Sequence, residues 1–235
     1  MQGGTRVSLY AIGDLHLALG CPEKNMDVFG GRWVGYTEKI RAAFSELREE
    51  DTVVLCGDTS WGMSLEAALP DFLFLQELPG RKVLLKGNHD YWWETANKMN
   101  AFLDKNGLTK LSFLHNNFIP YEDCAVCGTR GWFYEEERGG EHDEKIMKRE
   151  IGRLETSLIA AGEREKLVFL HYPPIYQNYR CEEILLLLEK YDVRECLSGH
   201  IHGKGSYAAF RGTEGNCHHT LVSADFLDFI PRKIK

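Results

Sequence analysis

The sequence contains no apolar run fit to cross a membrane: its longest aliphatic stretch, Ile184 to Leu188, falls far short of the ~20 residues a spanning helix needs. Basic residues are also in deficit. With 28 Lys and Arg against 35 Asp and Glu, the net charge of −7 gives no electrostatic footprint for a polyphosphate backbone, which disfavours nucleic acid as a partner. The N-terminal stretch lacks a basic segment followed by a long apolar core, so we expect no secretory leader and a cytoplasmic protein. Seven cysteines is an odd number, and Cys56 and Cys196 sit inside apolar runs, so a disulfide framework is not expected. The one C-x-x-C, Cys124 to Cys127, has no second pair and no helix start after it. This argues against a four-Cys zinc site and a thioredoxin-like redox motif, and leaves two strand residues. No linker rich in Pro, Gly or Ser divides the chain, so we expect one domain over residues 1–235.

What is present is an alternation of short β-like runs with helical patterns. Strands are predicted at Val7–Ile12, Thr52–Cys56, Lys82–Leu85, Leu111–Leu114, Cys124–Cys127, Leu167–Leu170, Glu195–Ser198, Ser206–Phe210 and Cys217–Ser223. Helices are predicted at Thr37–Glu50, from Leu65 towards Leu78 around Pro70, and at Glu94–Lys105, His142–Ala161 and Cys181–Tyr191. Strand, helix and strand in succession imply parallel pairing through crossover helices, and the Gly-containing turns near the end imply hairpins. The expectation is a mixed α/β sandwich. Two long loops, residues 18–35 and 128–141, each follow a strand and are candidates for binding loops.

The chemistry lies in what ends the strands. VSLYAI runs into GDLH, TVVLC into GD, KVLLK into GNHD, KLVFL into HYPP and ECLS into GHIH. Strand carboxyl ends are where open α/β sheets bind ligands, so the five termini can meet in one crevice. Singly, Asp-x-His or Gly-Asp is a weak signal, and a lone His after a strand is more often structural. Gly-Asn-His-Asp is expected only about once in a thousand chains of this length at average residue usage. In an extended His-x-His the two rings project to the same side, so His200 and His202 can share an ion or serve two neighbouring ones.

In these motifs the sequence resembles the calcineurin-like metallophosphoesterase family, whose pattern is D-x-H, G-D, G-N-H-[DE], a lone H and G-H-x-H; the match spans Asp14 to His202. The resemblance implies a four-layer αββα sandwich of two mixed β-sheets flanked by helices. It implies one metal at Asp14, His16, Asp58 and His202, a second at Asp58, Asn88, His171 and His200, and a bridging role for Asp58. Carboxylate, amide oxygen and imidazole donors suit two divalent ions such as Mn²⁺ or iron as Fe²⁺ or Fe³⁺, with Zn²⁺ also compatible. In such a centre a bridging hydroxide attacks phosphorus, because metal coordination lowers the pKa of water to about 7. His89, not a ligand in the family pattern, is the candidate general acid; Asp90 is read either as the group orienting its ring in the protonated form or as a helix N-cap.

Around these residues, GDTSWGM replaces the arginine-bearing stretch that protein phosphatases of the family carry after G-D, which argues against a protein phosphatase. Arg130, in GTRGW, is the candidate cation for a substrate phosphate, set against an ordinary surface ion pair. Trp61, Trp92, Trp93 and Trp132 offer either an aromatic wall or core packing, and Asp27 and Trp33 a flap over the metals. Two other readings stand beside the small-molecule phosphoesterase: a nucleic-acid phosphodiesterase, and a non-catalytic binding or scaffold member of the fold. The first needs a basic groove. The second is usually marked by lost ligands, whereas the set here is complete.

Overall fold

A computed structural model of the chain describes residues 7–133 and 140–235. Its strands are β1 Leu9–Ile12, β2 Thr52–Leu55, β3 Arg81–Leu84, β4 Leu111–Phe113, β5 Ile119–Tyr121, β6 Cys124–Thr129 and β7 Glu165–Leu170, then β8 Ile175–Tyr176, β9 Tyr179–Arg180, β10 Glu195–Ser198, β11 Gly212–Glu214, β12 Cys217–Leu221 and β13 Arg232–Lys233. The helices are α1 Tyr36–Ser45, α2 Leu65–Glu77, α3 Ala96–Lys105, α4 Glu141–Ala160 and α5 Glu182–Lys190. One sheet runs β13-β1-β2-β3-β4 and the other β11-β12-β10-β7-β6-β5, with β8 and β9 as a separate hairpin. Strands β1 to β4 are mutually parallel, as are β6, β7, β10 and β12; the edge strands β13, β5 and β11 pair antiparallel.

The period-two alternation of side chains sorts the core into three apolar layers. Val54 and Cys56 of the β2 run face the second sheet, where Val126, Leu167, Phe169 and Leu197 meet them. Val53 and Leu55 point the opposite way, onto Ile40, Phe44, Phe72 and Leu75 of α1 and α2. Across the second sheet, Cys127, Val168, Leu170 and Cys196 pack on Leu154, Leu158, Ile184 and Leu188 of α4 and α5. Both central sheets are therefore covered on both faces, as parallel strands require, and the architecture is the expected αββα sandwich. All seven cysteines are free and buried, Cys124 and Cys127 among them in β6. No helix among the described residues is long and apolar enough to cross a membrane.

Four expectations change. Ser206–Phe210 is not a strand: Gly203–Ala208 is a 3₁₀ turn, tightened by Gly203 at φ 61° and by the Ser206 hydroxyl donating to the Gly203 carbonyl. Helix α1 stops at Ser45 because the Asp51 carboxylate takes the Arg48 N–H at 3.0 Å and the Ser8 N–H at 2.8 Å, closing a turn in place of a further helical turn. Helix α3 begins after Thr95, whose side chain caps Lys98 N–H, so Asp90 is not an N-cap. The 18–35 loop is a chain of 3₁₀ turns at Pro22–Lys24, Met26–Phe29 and Gly31–Trp33. Strand β6 reaches Thr129, so the second loop starts at Arg130, and its residues 134–139, including the acidic run, lie outside the described residues.

Phe169, fully buried between the sheets, sets the stability prediction for this fold. Phe169→Ala should cost about 3–5 kcal/mol in urea unfolding, whereas Leu186→Ala, at a 62% exposed position, should stay within about 0.5 kcal/mol. Equal losses would contradict the layer assignment.

Candidate metal centre

All five strand termini reach the same carboxyl edge, and the chain turns there by unusual backbone. Asp14, His16, Asp58 and His200 have φ of 56°, 47°, 51° and 68°, in the left-handed region that costs roughly 1–3 kcal/mol for a residue with a Cβ. The turns are packed against one another so tightly that Gly87 admits no side chain. A Cβ there would lie 2.1 Å from Asp58 Oδ1 and 2.2 Å from Asp58 N. At Gly57, with φ 85°, a Cβ would meet His171 Nδ1 at 2.6 Å.

Two groups of ligand atoms result, Asp14 with His16 and Asp58, and Asp58 with His171 and His200, each with its atoms within 4.8 Å of one another. Asp58 belongs to both. Asn88 joins the second group: its Oδ1 is 2.6 Å from His171 Nε2 and 3.0 Å from His200 Nδ1. His202 stands at the exposed rim, with its ring 5.5 Å from that of His16. His200 turns the other way, its ring 4.2 Å from Tyr172 and 4.9 Å from His171. The His-x-His segment is not extended, since His200 is left-handed, and its two imidazoles consequently face different halves of the centre.

These donors fit divalent cations, and the reason lies in their protonation. His171 Nδ1 sits 3.0 Å from the Cys56 carbonyl, which only accepts, so the proton is on Nδ1 and Nε2 carries a lone pair. That lone pair faces the Asn88 oxygen at 2.6 Å, an acceptor-to-acceptor contact that a cation held between them would satisfy. Buried His16 Nε2 has no hydrogen-bond partner, and Asp58 Oδ2 stands 3.8 Å away. Burial holds the pKa of His16 and His171 well below the usual imidazole range and takes His200 down to about 3, so all three stay neutral. Burial also raises Asp14 to about 6 and, with the neighbouring Asp90 and Asp14 carboxylates, lifts Asp58 well above its ordinary value. Among the described residues neither carboxylate has a Lys or Arg in ion-pair contact; the nearest basic side chains are the histidines. Buried acids without a countercharge, ringed by neutral imidazoles, are a receptor for metal.

Asp90 does something other than orient His89. Its Oδ1 accepts from Thr59 N, Ser60 N and Trp92 Nε1 at 2.9, 3.2 and 3.1 Å, and its Oδ2 from Asp58 N and Gly87 N at 2.9 and 2.7 Å. Five N–H donors tie the Asp58 turn to the Gly87–Asp90 turn through one carboxylate. His89 is left without that partner: its Nδ1 is buried and unpaired, its ring lies 4.5 Å from Trp61, and burial with nearby His202 and Lys24 lowers its pKa. Trp61 also stacks on His16 at 4.9 Å, and Trp33 meets the rings of His16 and His202 edge-on, so both tryptophans border the centre. Trp92 is core, as packing predicts. Asp27 is a loop brace, accepting Gly35 N–H at 2.8 Å. Arg130 adjoins the centre through its backbone: its carbonyl accepts the N–H groups of His171 and Tyr172 at 3.1 and 2.8 Å, while its guanidinium sits 4.7 Å over Trp132 and 3.5 Å from Glu150. Sequence reasoning missed Lys24, whose Nζ reaches the Trp61 carbonyl at 3.3 Å, because nothing in a loop sequence shows where it folds back.

A cluster of carboxylate, amide and imidazole donors that fits a metal site, at the carboxyl edge of an αββα sandwich, is the arrangement of a class of metal-dependent hydrolases. Residues 7–204 match the family model of the calcineurin-like phosphoesterases, and the chain belongs to that family. Phosphopantetheinyl hydrolase from Mycobacterium tuberculosis is similar in structure, with a TM-score of 0.61 at 11% identity over 98% of this chain and 96% of that one. The protein TT1561 of Thermus thermophilus is similar with a TM-score of 0.54 at 15% identity over 98% of this chain and 99% of that one. At these identities the likeness concerns the fold alone. No curated protein matches the chain.

The Asp90 hub makes a direct prediction. In Asp90→Asn one acceptor oxygen remains, so at least two N–H groups lose their partner, at a cost of about 2–4 kcal/mol. That corresponds to roughly 5–15 °C in Tm for a chain of this size. Calorimetry giving an unchanged Tm would show that the carboxylate does not hold the two turns together.

Proposed function

We propose that this protein is a cytoplasmic phosphoesterase, the whole chain forming one catalytic domain that hydrolyses a small-molecule phosphomonoester or phosphodiester at a two-metal centre. The observation that carries the reading is Asp58, whose carboxylate belongs to both groups of ligand atoms. Asp14, His16, Asp58 and His202 would hold one ion, and Asp58, Asn88, His171 and His200 the other, with manganese or iron first choices and zinc compatible with the donors. When bound, the ions supply Lewis acidity and a water activated at neutral pH.

The chain's own residues do the rest. Cys56 fixes the His171 tautomer through its carbonyl, and Asp90 fixes the Asp58 backbone, so the donors are held before any ion arrives. His89 is half-buried beside the centre, its Nδ1 buried and unpaired, and it is placed by its backbone N–H, which donates to Asp58 Oδ1 at 2.8 Å. We assign it the proton that the leaving oxygen takes as the P–O bond breaks. Trp61 and Trp33 shield that nitrogen and the His16 side of the centre from water. Arg130 is assigned to a substrate phosphate. A net charge of −7 favours a small ester over a nucleic-acid strand, and free, buried cysteines suit a reducing compartment.

The test is a pair of esters on Mn²⁺-loaded enzyme. His89→Asn should slow an alkyl phosphate by ~10²–10⁴ and an ester with a good leaving group, such as an aryl phosphate, far less. Equal rates for variant and wild type on the alkyl ester would remove His89 from the role, and no cleavage of any ester by fully loaded wild type would remove the proposal.

A further inference from the structure

Beside the metal centre, at the same carboxyl edge, the ends of β3, β4 and β6, the start of α3 and the middle of α4 enclose a cleft of about 320 Å³. It shares two walls with the centre. Lys86 in the cleft is two residues before Asn88, a separation of at most ~7 Å between Cα atoms, and the backbone of Arg130 is hydrogen-bonded to His171.

The cleft carries three cations, Lys86, Arg130 and Arg153, around one buried carboxylate, Glu150. That carboxylate is already engaged. Its Oε2 accepts the Thr129 hydroxyl at 2.5 Å and its Oε1 takes Arg153 at 2.6 Å, which leaves Arg130 at a long 3.5 Å with its buried Nε unpaired. Lys86 makes no hydrogen bond or ion pair with any described residue, and Glu94, the other acid in the wall, pairs outward with Lys98 at 3.2 Å. On one side Trp93 donates its Nε1–H to His115 Nδ1 at 3.2 Å, which leaves the proton of a neutral His115 on Nε2, a further donor. In a chain of net charge −7, a concave site with cations in excess is an anion receptor, and its volume suits a phosphate with part of the group that bears it.

We propose that this cleft binds a second phosphate of the substrate, so that the ester cleaved at the metal centre carries another phosphoryl group at its far end. This rests on the phosphoesterase reading and narrows its substrate class to small bisphosphorylated molecules. Arg130 and Lys86 would take the phosphate oxygens, and Trp93 would flank the carbon skeleton.

The experiment uses metal-loaded full-length protein and alkanediol monophosphates and bisphosphates of increasing chain length, matched so that the scissile ester is the same. Wild type should prefer the bisphosphate by roughly tenfold or more in kcat/KM at the length that spans centre and cleft, in line with loss of a charge-assisted contact. Lys86→Met, which breaks no ion pair, should remove most of that preference through KM and leave the monophosphate rate unchanged; Arg153→Met should do the same in part. No preference at any length, or an equal loss on both esters, overturns the proposal. Calorimetric titration with inorganic sulfate separates this from the reading beneath it. If no ester is cleaved, the hydrolase reading fails, yet a sulfate site weakened about tenfold by Lys86→Met still establishes the anion cleft; coincident isotherms overturn the cleft even in an active enzyme.

Discussion

The geometry of the centre depends on one buried carboxylate that is not among the metal donors. Asp90 takes five N–H groups from two turns that are remote in sequence, the one after β2 and the one after β3. Without it these amides would be buried and unpaired, each at a cost of about 1–3 kcal/mol. With it, Asp58 and Asn88 are delivered from separate strands to one point. Burial raises the Asp90 pKa to about 6 while the backbone N–H groups of Gly87, Ser60, Thr59 and Asp58 pull it down, so its charge is held by N–H dipoles and not by a cation.

The second constraint is strain. Four of the seven candidate ligands sit in left-handed backbone, and sheets stacked face to face leave no slack to relax them. The packing around Gly57 and Gly87 shows how the turns are kept in place: each glycine is the surface on which another ligand's side chain or backbone rests. The cost of these turns is offset in the three apolar layers below, where Phe44, Phe72 and Phe169 are fully buried. The strained edge and the rigid sandwich are thus two parts of one arrangement, a preorganised set of donors on a stiff base.

Much of this is legible in the sequence. The apolar runs that become β1, β2, β3, β7 and β10 are buried on both faces, so they read clearly, and the residues ending them are the ones that converge. Edge strands β5, β11 and β13 and the β8–β9 hairpin span two or three residues, too short for any periodicity to register. Sequence alone assigns Asp90 to His89 or to a helix cap because it shows neighbours, whereas the true partners include Thr59 and Ser60 some thirty residues away. The same limit hides Lys24, and it hides the cationic cleft, whose walls come from β3, β4, β6 and α4. His200 and His202 read as an extended pair; a left-handed residue after Gly199 sends them to opposite sides.

The central claim is that Asp58 joins two ion sites into one centre. Metal content per chain, measured by elemental analysis after loading with Mn²⁺ and removal of free ion, tests it most directly. Wild type should hold two ions, and Asp58→Asn, which weakens both ligand sets at once, should fall below one. Wild type saturating at a single ion, or Asp58→Asn retaining two, would contradict the account.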